Sequence, residues 1–254
     1  MPNLERTPEA EAFLEAREHT APDVVSACEG WTAHEVTAHL AAAAAEISRH
    51  LEPYLQGDAV PKTRTFEERE LRWRGMDEVT LCRGLADEEA KLRILIQQVL
   101  EQDPDAVIPW TGRQMAVAAF LPHMRSEFAI HRWDFVGDDE VSIALLSQPE
   151  LTEHAIRVLG HLLLVRGADH DRSPGEDLHV RLRAEHGPDV RLVVEGGQAR
   201  LELATGPSDE PHVDLDAAAR TLVIWGRRPD RRGRFHSHVG EPTLHRLQAL
   251  LSGY

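Results

Sequence analysis

"SEFAIHRWDF", residues 126–135, carries Glu127 and His131 four positions apart in an otherwise apolar stretch. Residues at i and i+4 lie on one face of a helix, with Cβ atoms about 6 Å apart. A buried helix gains no stability from two such polar side chains, so their presence there calls for a ligand. Asp134, three residues after His131, is placed to accept the second N–H of the imidazole. The segment predicts a helix that supplies two ligands to a divalent metal.

A third ligand is predicted from "GWTAHEVTAHLAAA", residues 30–43, where His39 precedes a run of alanines. Small side chains let two helices approach closely, so this histidine can meet the first pair. Two imidazoles and one carboxylate leave coordination positions open, as catalytic sites do. His34 lies about 140° around the helix from His39 and cannot face the same ion. His123, one turn before Glu127, is the best rival ligand.

Spacing alone leaves another interpretation open. Glu and His four apart are common on exposed helix faces, where both are simply solvated, and that is the commoner case. The rest of the sequence therefore has to decide between a metal site and a solvated helix face.

The first half of the chain reads as helices joined by loops. Thr32 and Glu35 form a capping box at the start of the second helix, and Gly57 is a plausible stop. A bundle of four helices can build a site from inward-facing side chains. The predicted helices are 7–19, 31–57, a third in the residues after Gly84, and 113–135 with a kink at Pro122; 58–65 and 103–112 are predicted connections.

The pattern changes after the acidic stretch "VGDDEVS", residues 136–142. A linking helix is predicted at 151–167, and apolar residues then alternate by two, as in strands. The strands are predicted at 178–186, 190–196, 198–205 and 211–216, with helices in 216–228 and 241–254. We therefore expect an α+β protein: a four-helix bundle over residues 1–140 and a smaller α+β domain with an antiparallel sheet over 141–254.

Composition and charge argue against some classes of function. The 254 residues carry 43 acidic and 28 basic side chains, a net charge of −15. Such a field repels polyanions, so no nucleic-acid partner is expected. No apolar run approaches the ~20 residues of a membrane span, and the N-terminus lacks the pattern of a signal peptide, so we expect no membrane partner and a cytoplasmic location. Cys28 and Cys82 form no disulfide framework or CxxC pair, and any thiol chemistry is expected to use a ligand's sulfur.

The two helical motifs together resemble a known family. "GWTAHEVTAHLAA" and "RSEFAIHRWDF" are similar to the N-terminal domain of the mycothiol-dependent maleylpyruvate isomerase family, in the DinB-like metalloenzyme superfamily. The family patterns are W-T/S-x-x-D-x-x-x-H-L and R-x-E-x-x-x-H-x-x-D. The matching residues are Trp31, Thr32, His39, Leu40, Arg125, Glu127, His131 and Asp134. Glu35 stands where the family usually has Asp. "VIWGRR", residues 223–228, more weakly resembles the L-W-G-R segment of the family's sterol-carrier-like C-terminal domain.

The resemblance implies a divalent metal, usually zinc, held by His39, Glu127 and His131, with Asp134 behind His131. It also implies that the metal activates the thiol of mycothiol, a low-molecular-weight cofactor, toward a small electrophilic substrate. The expected reaction is a cis–trans isomerisation or an S-transfer, and the sequence does not separate the two. The alternative is a non-catalytic metal-binding bundle that acts as a ligand-binding or stress-response module.

An anionic substrate would need a cationic partner. Arg227 is the predicted catalytic group, because arginine binds carboxylates through two parallel hydrogen bonds and this one lies in the family-like segment. The rest of the cluster is Arg228, Arg231, Arg232 and Arg234. A solvated loop that balances nearby acids is the competing interpretation. A second metal site at His236, His238 and His245 is a weaker candidate, and no G-x-S-x-G nucleophile motif occurs.

Overall fold

The computed structural model describes residues 5–28, 30–171, 173, 175–185, 188–229 and 234–252. Contacts divide the chain into two compact units, Met1–Gly137 and Asp138–Tyr254. The sequence analysis placed the boundary between residues 140 and 141.

The first unit begins with α1, Pro8–Glu18, and the long helix α2, Ala33–Gln56. Thr32 accepts a hydrogen bond from the Glu35 backbone N–H while the Glu35 side chain accepts from the Thr32 backbone N–H, so the expected capping box is present. Gly57 ends α2 in the left-handed conformation that glycine adopts without strain.

Two further helices follow, α3 at Phe66–Arg74 and α4 at Glu78–Gln102. The sequence analysis placed a helix only in the residues after Gly84. α4 begins earlier because the Asp77 side chain caps it, accepting from the Thr80 N–H at 3.0 Å.

The sequence analysis predicted a helix that begins at Arg113, and this starting point is wrong. Residues Val107–Trp110 (β1) and Arg113–Ala116 (β2) pair as an antiparallel hairpin, and α5 occupies Phe120–Val136 after one short helical turn. Pro122 therefore lies in the first turn of α5. Backbone N–H groups there have no partner within the helix, so proline fits without the loss of a helical hydrogen bond.

The helices of this unit pack as a bundle. α2 lies along α4 and α1 along α5, while α5 also contacts α2 and α4. Apolar burial holds them together, at about 25 cal/mol per Å² removed from water. The largest fully buried side chains include Phe13, Leu40, Ile47, Phe120 and Phe128.

The second unit opens with helices α6, Glu140–Leu146, α7, Pro149–His154, and α8, Gly160–Ala168. The linking helix expected at 151–167 is thus interrupted. Residues 155–159 form a wider turn of the π type, which inserts an extra residue into the helical repeat.

Among the described residues, five strands form the sheet of this unit, and the third to seventh strands of the chain, β3 to β7, lie in it in the order β5-β4-β3-β6-β7. They are β3 Leu178–Ala184, β4 Asp189–Glu195, β5 Gln198–Ala204, β6 His212–Leu215 and β7 Phe235–Ser237. The sheet is mixed rather than wholly antiparallel, because β3 and β6 run parallel. β7 was not expected from the sequence.

Two helices complete the unit, α9 at Ala217–Ile224 and α10 at Glu241–Leu250. Gly226, just past α9, has φ 76°, and a Cβ there would come within 2.8 Å of the Leu251 carbonyl oxygen. Only glycine fits this position, which gives a structural reason for the glycine of the "WGR" segment. Within the described part of the chain, no helix combines the length and apolarity needed to cross a bilayer.

Candidate metal site

α2 and α5 bring the three predicted ligands together inside the bundle. His39 lies on α2 two residues before the first of Ala41–Ala44, which are almost fully buried and allow close packing. Glu127 and His131 lie on one face of α5. All three are buried, with 5%, 2% and 2% of their surfaces exposed.

The three side chains converge through single atoms. His39 Nε2 and His131 Nε2 each lie 3.5 Å from Glu127 Oε2. One potential ligand atom from each residue falls within 4.8 Å of the other two. Within the described residues, this cluster joins two different helices at the centre of the bundle.

Each imidazole is held at its other nitrogen by a carboxylate. His131 Nδ1 lies 2.8 Å from Asp134 Oδ2, the contact expected from the sequence. His39 Nδ1 lies 2.8 Å from Glu70 Oε1. Because an ionised carboxylate only accepts, both Nδ1 atoms donate, and in the neutral imidazoles Nε2 carries a lone pair directed at the cluster.

Glu70 is the partner of His39 that the sequence analysis missed. It lies on α3, 3% exposed, and Arg74 one turn later contacts it from Nε and Nη2 at 3.0 and 2.8 Å. Arg74 also donates to Glu35 Oε1 at 2.7 Å, which links the α2 cap to this network. Thr65 and Glu68 form a capping box at the start of α3, and this pattern in the sequence could have located the helix that carries Glu70.

Electrostatics in the cluster favour a cation among these groups. Burial alone raises the pKa of the Glu127 carboxyl, but its close contacts with the His131 and His39 imidazoles outweigh burial and hold that pKa well below its usual range. Burial alone lowers the pKa of the His131 imidazole, but Asp134 and Glu127 reverse the effect and raise it. An anionic carboxylate thus faces two imidazoles, an arrangement that a divalent cation satisfies.

Aromatic rings flank His39 on two sides. The Trp31 ring meets it edge-on at a centroid distance of 5.1 Å, and the Phe66 ring stacks against it at 5.8 Å. Arg74 lies over Trp31, 5.1 Å from the ring centroid. These contacts fix the orientation of the His39 ring together with its bond to Glu70.

The rival histidines His34 and His50 contact other groups, whereas His123 borders the cluster. His123 Nε2 lies 3.8 Å from Glu127 Oε1, the other carboxylate oxygen, and burial lowers its pKa. His34 pairs with Glu78 at 3.1 Å. His50 lies beside the Glu46 carbonyl, with Nδ1 2.8 Å from that oxygen.

The remaining motif residues of this unit have structural partners. Arg125 pairs with the buried Glu9 of α1 at 2.9 Å. Cys82 donates its thiol proton to Glu78 at 3.1 Å. Burial and that hydrogen bond raise the pKa of the Cys82 thiol to about 12, so it stays protonated and unreactive.

The arginine cluster lies in the second unit and does not act as one group. Arg227 is 8% exposed and donates from Nη1 to the Trp225 carbonyl at 3.2 Å, and it lines a cavity of about 90 Å³. Arg234 is paired with Asp216, at 2.9 Å, and with Asp138. Arg228 borders the same cavity as Arg227, and Arg231 and Arg232 lie outside the described residues.

Fold and site together define a two-unit α+β protein whose helical bundle buries a cluster of two histidines and one glutamate. The family model of the mycothiol maleylpyruvate isomerase N-terminal domain matches residues 5–135. The chain therefore belongs to this family, and the resemblance found in its sequence is confirmed.

Two solved structures resemble the chain as a whole. The crystal structure of the mycothiol-dependent maleylpyruvate isomerase superposes with a TM-score of 0.59 at 17% identity, covering 87% of this chain and 86% of that chain. A variant of that enzyme with one histidine replaced by alanine gives 0.57 at 16% identity, with the same coverage. At these identities the likeness establishes the fold, and the expected α+β class is confirmed. No curated protein sequence matches the chain.

Proposed function

We propose that this chain is a divalent-metal-dependent enzyme that activates a low-molecular-weight thiol, mycothiol, for reaction with a small electrophilic substrate. The observation that carries the proposal is the convergence of His39, Glu127 and His131, each imidazole held from behind by a carboxylate. Membership of a family named for a mycothiol-using isomerase supports the choice of thiol.

The residues fit a metal ion. Two ligand atoms each about 2.1 Å from one zinc ion, at the tetrahedral angle, lie about 3.4 Å apart. The two Nε2–Oε2 separations are 3.5 Å. The lone pairs on the two Nε2 atoms and the carboxylate oxygen repel one another unless a cation or proton lies among them. Two imidazole nitrogens and a carboxylate oxygen are also a donor set that zinc prefers.

The chain's own side chains have separate tasks in this site. His39, Glu127 and His131 would hold the ion, leaving open coordination positions for a ligand. Asp134 and Glu70 fix the tautomers, so that each Nε2 is available. A bound divalent ion lowers the pKa of a coordinating thiol so that it reacts as the thiolate at neutral pH.

Mycothiol would supply the sulfur nucleophile: reversible addition to a conjugated cis double bond gives isomerisation, whereas a lasting carbon–sulfur bond gives S-transfer. The family and both structural neighbours favour isomerisation. Arg227 is the proposed partner for a substrate carboxylate, since this residue lines a cavity. Replacing Arg227 with Lys keeps the charge but removes the two-pronged geometry, and is expected to raise KM for an anionic substrate.

The test measures turnover and the melting temperature, Tm, of the zinc-loaded chain with and without mycothiol. Mycothiol is expected to raise Tm, because a ligand that binds only the native state stabilises it, and maleylpyruvate is the first substrate to assay. His39→Ala should abolish both effects. His34→Ala, on the same helix but paired with Glu78, should preserve both. Zinc-loaded protein that shows neither a Tm shift at saturating mycothiol nor turnover would overturn the proposal and favour a non-catalytic metal-binding bundle.

A further inference from the structure

A second group of ligand-type side chains lies in the C-terminal unit, on β6 and just past β7. His212, Asp214 and His238 each offer a donor atom within 4.8 Å of the other two. The group differs from the candidate expected from sequence. His238 belongs to it, whereas His245 lies on α10, 3.9 Å from Glu241.

Strand geometry explains why these three side chains meet. Val213 and Leu215 of β6 are buried in the core, so His212 and Asp214 project from the opposite, accessible face. β7 pairs antiparallel with β6, and the His238 N–H donates to the His212 carbonyl oxygen at 3.0 Å. His238 is therefore held beside His212 by the backbone itself.

The donor atoms are oriented by neighbouring groups. His238 Nε2 lies 2.9 Å from Asp214 Oδ2, and the His212 and His238 ring centroids are 4.5 Å apart. His212 Nδ1 lies 3.1 Å from the Glu210 carbonyl oxygen, which can only accept. That bond leaves the lone pair on His212 Nε2, the tautomer that a metal ligand requires.

Two further polar groups face this surface. Arg183 Nε donates to Asp214 Oδ1 at 2.7 Å, and this bond leaves Oδ2, the oxygen that faces His238. His236 pairs with Asp214 across the strands and is exposed on the same side of the ribbon. The positive charge of Arg183 weakens the attraction for a cation but does not block the ligand atoms.

We infer that His212, Asp214 and His238 form a second divalent-metal site, of the zinc class, which ties the edge strand β7 to β6. Two imidazole nitrogens and one carboxylate oxygen are a donor set that zinc accepts, with open positions left for water. The inferred site uses no residue of the bundle cluster, so a result for one site does not decide the other.

The experiment counts zinc bound per chain after equilibrium dialysis of the full-length, metal-stripped protein against a zinc buffer. His238→Ala is expected to bind one ion fewer than the wild type. His245→Ala, a neighbouring exposed histidine outside the group, is the matched control and should bind as the wild type does. His131→Ala reports the bundle site separately.

Fold integrity of each variant is checked by circular dichroism, and His212→Asn provides a second, independent loss of a ligand. Equal zinc content in the wild type, His238→Ala and His212→Asn would overturn the inference, whatever the bundle variant shows. Loss of an ion in His245→Ala would also overturn it, because the ligands would then be different residues.

Discussion

The two imidazoles of the bundle cluster are held by carboxylates that reach them in different ways. Asp134 is three residues from His131, so the helical repeat alone brings the two together. Glu70 is 31 residues from His39 and meets it only because α3 packs against α2. The sequence therefore predicted the first contact and not the second.

Glu70→Gln should weaken zinc binding by about 10–100-fold, the usual effect of losing a carboxylate behind a histidine ligand. The neutral amide can still accept from Nδ1, but it no longer increases the basicity of Nε2. A competition titration against a chromogenic chelator measures the affinity. Glu67→Gln, an exposed position on the same helix, is the control. Equal affinities for the two variants would show that Glu70 has no role at the metal.

The chain's own thiols are expected to be dispensable. The double variant Cys28→Ser, Cys82→Ser should retain mycothiol-dependent turnover within about twofold, because the Cys82 thiol, with its pKa raised to about 12, is protonated and a serine hydroxyl can still donate to Glu78. Steady-state kinetics with and without mycothiol measures the effect. A loss of activity with the fold intact would mean that a protein thiol, rather than a ligand's, is the nucleophile.

At the scale of elements, the start of α5 shows where sequence patterns fail. Residues 113–116, Arg-Gln-Met-Ala, all favour helices by intrinsic propensity, but they pair with β1. The turn between the strands, Thr111 and Gly112, has φ values of 47° and 82°. Two residues with positive φ make the tight hairpin turn that suits strand twist, and Asn-Gly is its usual signal. Thr-Gly is a weak version of that signal, so the hairpin was missed.

Thr111→Asn is expected to stabilise the protein by about 0.5–1 kcal/mol, because a β-branched residue is strained at positive φ and asparagine tolerates it. Thermal unfolding should show Tm higher by about 1–4 °C. Thr111→Ala keeps a Cβ without the local hydrogen bonding of asparagine, and should gain less. A lower Tm for Thr111→Asn would contradict the assignment of strain to this turn.

Helix α2 is joined to the 58–65 connection through the fully buried Glu46. Its carboxylate binds Arg49 on α2 and both the backbone N–H and the side chain of Arg64. Burial alone would raise the Glu46 pKa, but these bonds lower it from 4.5 to about 2. A pKa lowered in the folded state adds stability that is full above about pH 4.5 and is lost as the pH falls through about 2.

Glu46→Gln should therefore reduce the free energy of unfolding by about 2 kcal/mol at pH 7, allowing for the partly exposed arginines. The difference from the wild type should shrink as the pH is lowered from 4.5 toward 2. Urea unfolding at pH 7 and pH 3 measures it. A difference that stays constant across this range would mean that the ion pairs contribute nothing.

At the scale of the whole molecule, the change from helical to alternating periodicity identified the change of architecture within the chain. Alternation by two reveals strands but not their partners, and so the parallel pairing of β3 with β6 could not be read from it. β7 has only three residues, too few to show a period. Its place beside β6 depends on contacts that are distant in sequence.

The residues of the candidate site were predicted from helical spacing combined with the family resemblance. Spacing gave only pairs of residues on single helices, and the choice of His39 over His34 needed the family pattern as well as helix geometry. The structure brings His39, Glu127 and His131 together, while their role as ligands stays a prediction.

The central claim is that these three residues hold an ion that activates an external thiol. The most direct measurement is the near-ultraviolet absorption of the cobalt(II)-loaded protein as mycothiol is added. The account predicts a new thiolate-to-cobalt charge-transfer band that saturates with mycothiol and is absent in His131→Ala. A spectrum that mycothiol leaves unchanged, in protein shown to hold cobalt between the two helices, would contradict it.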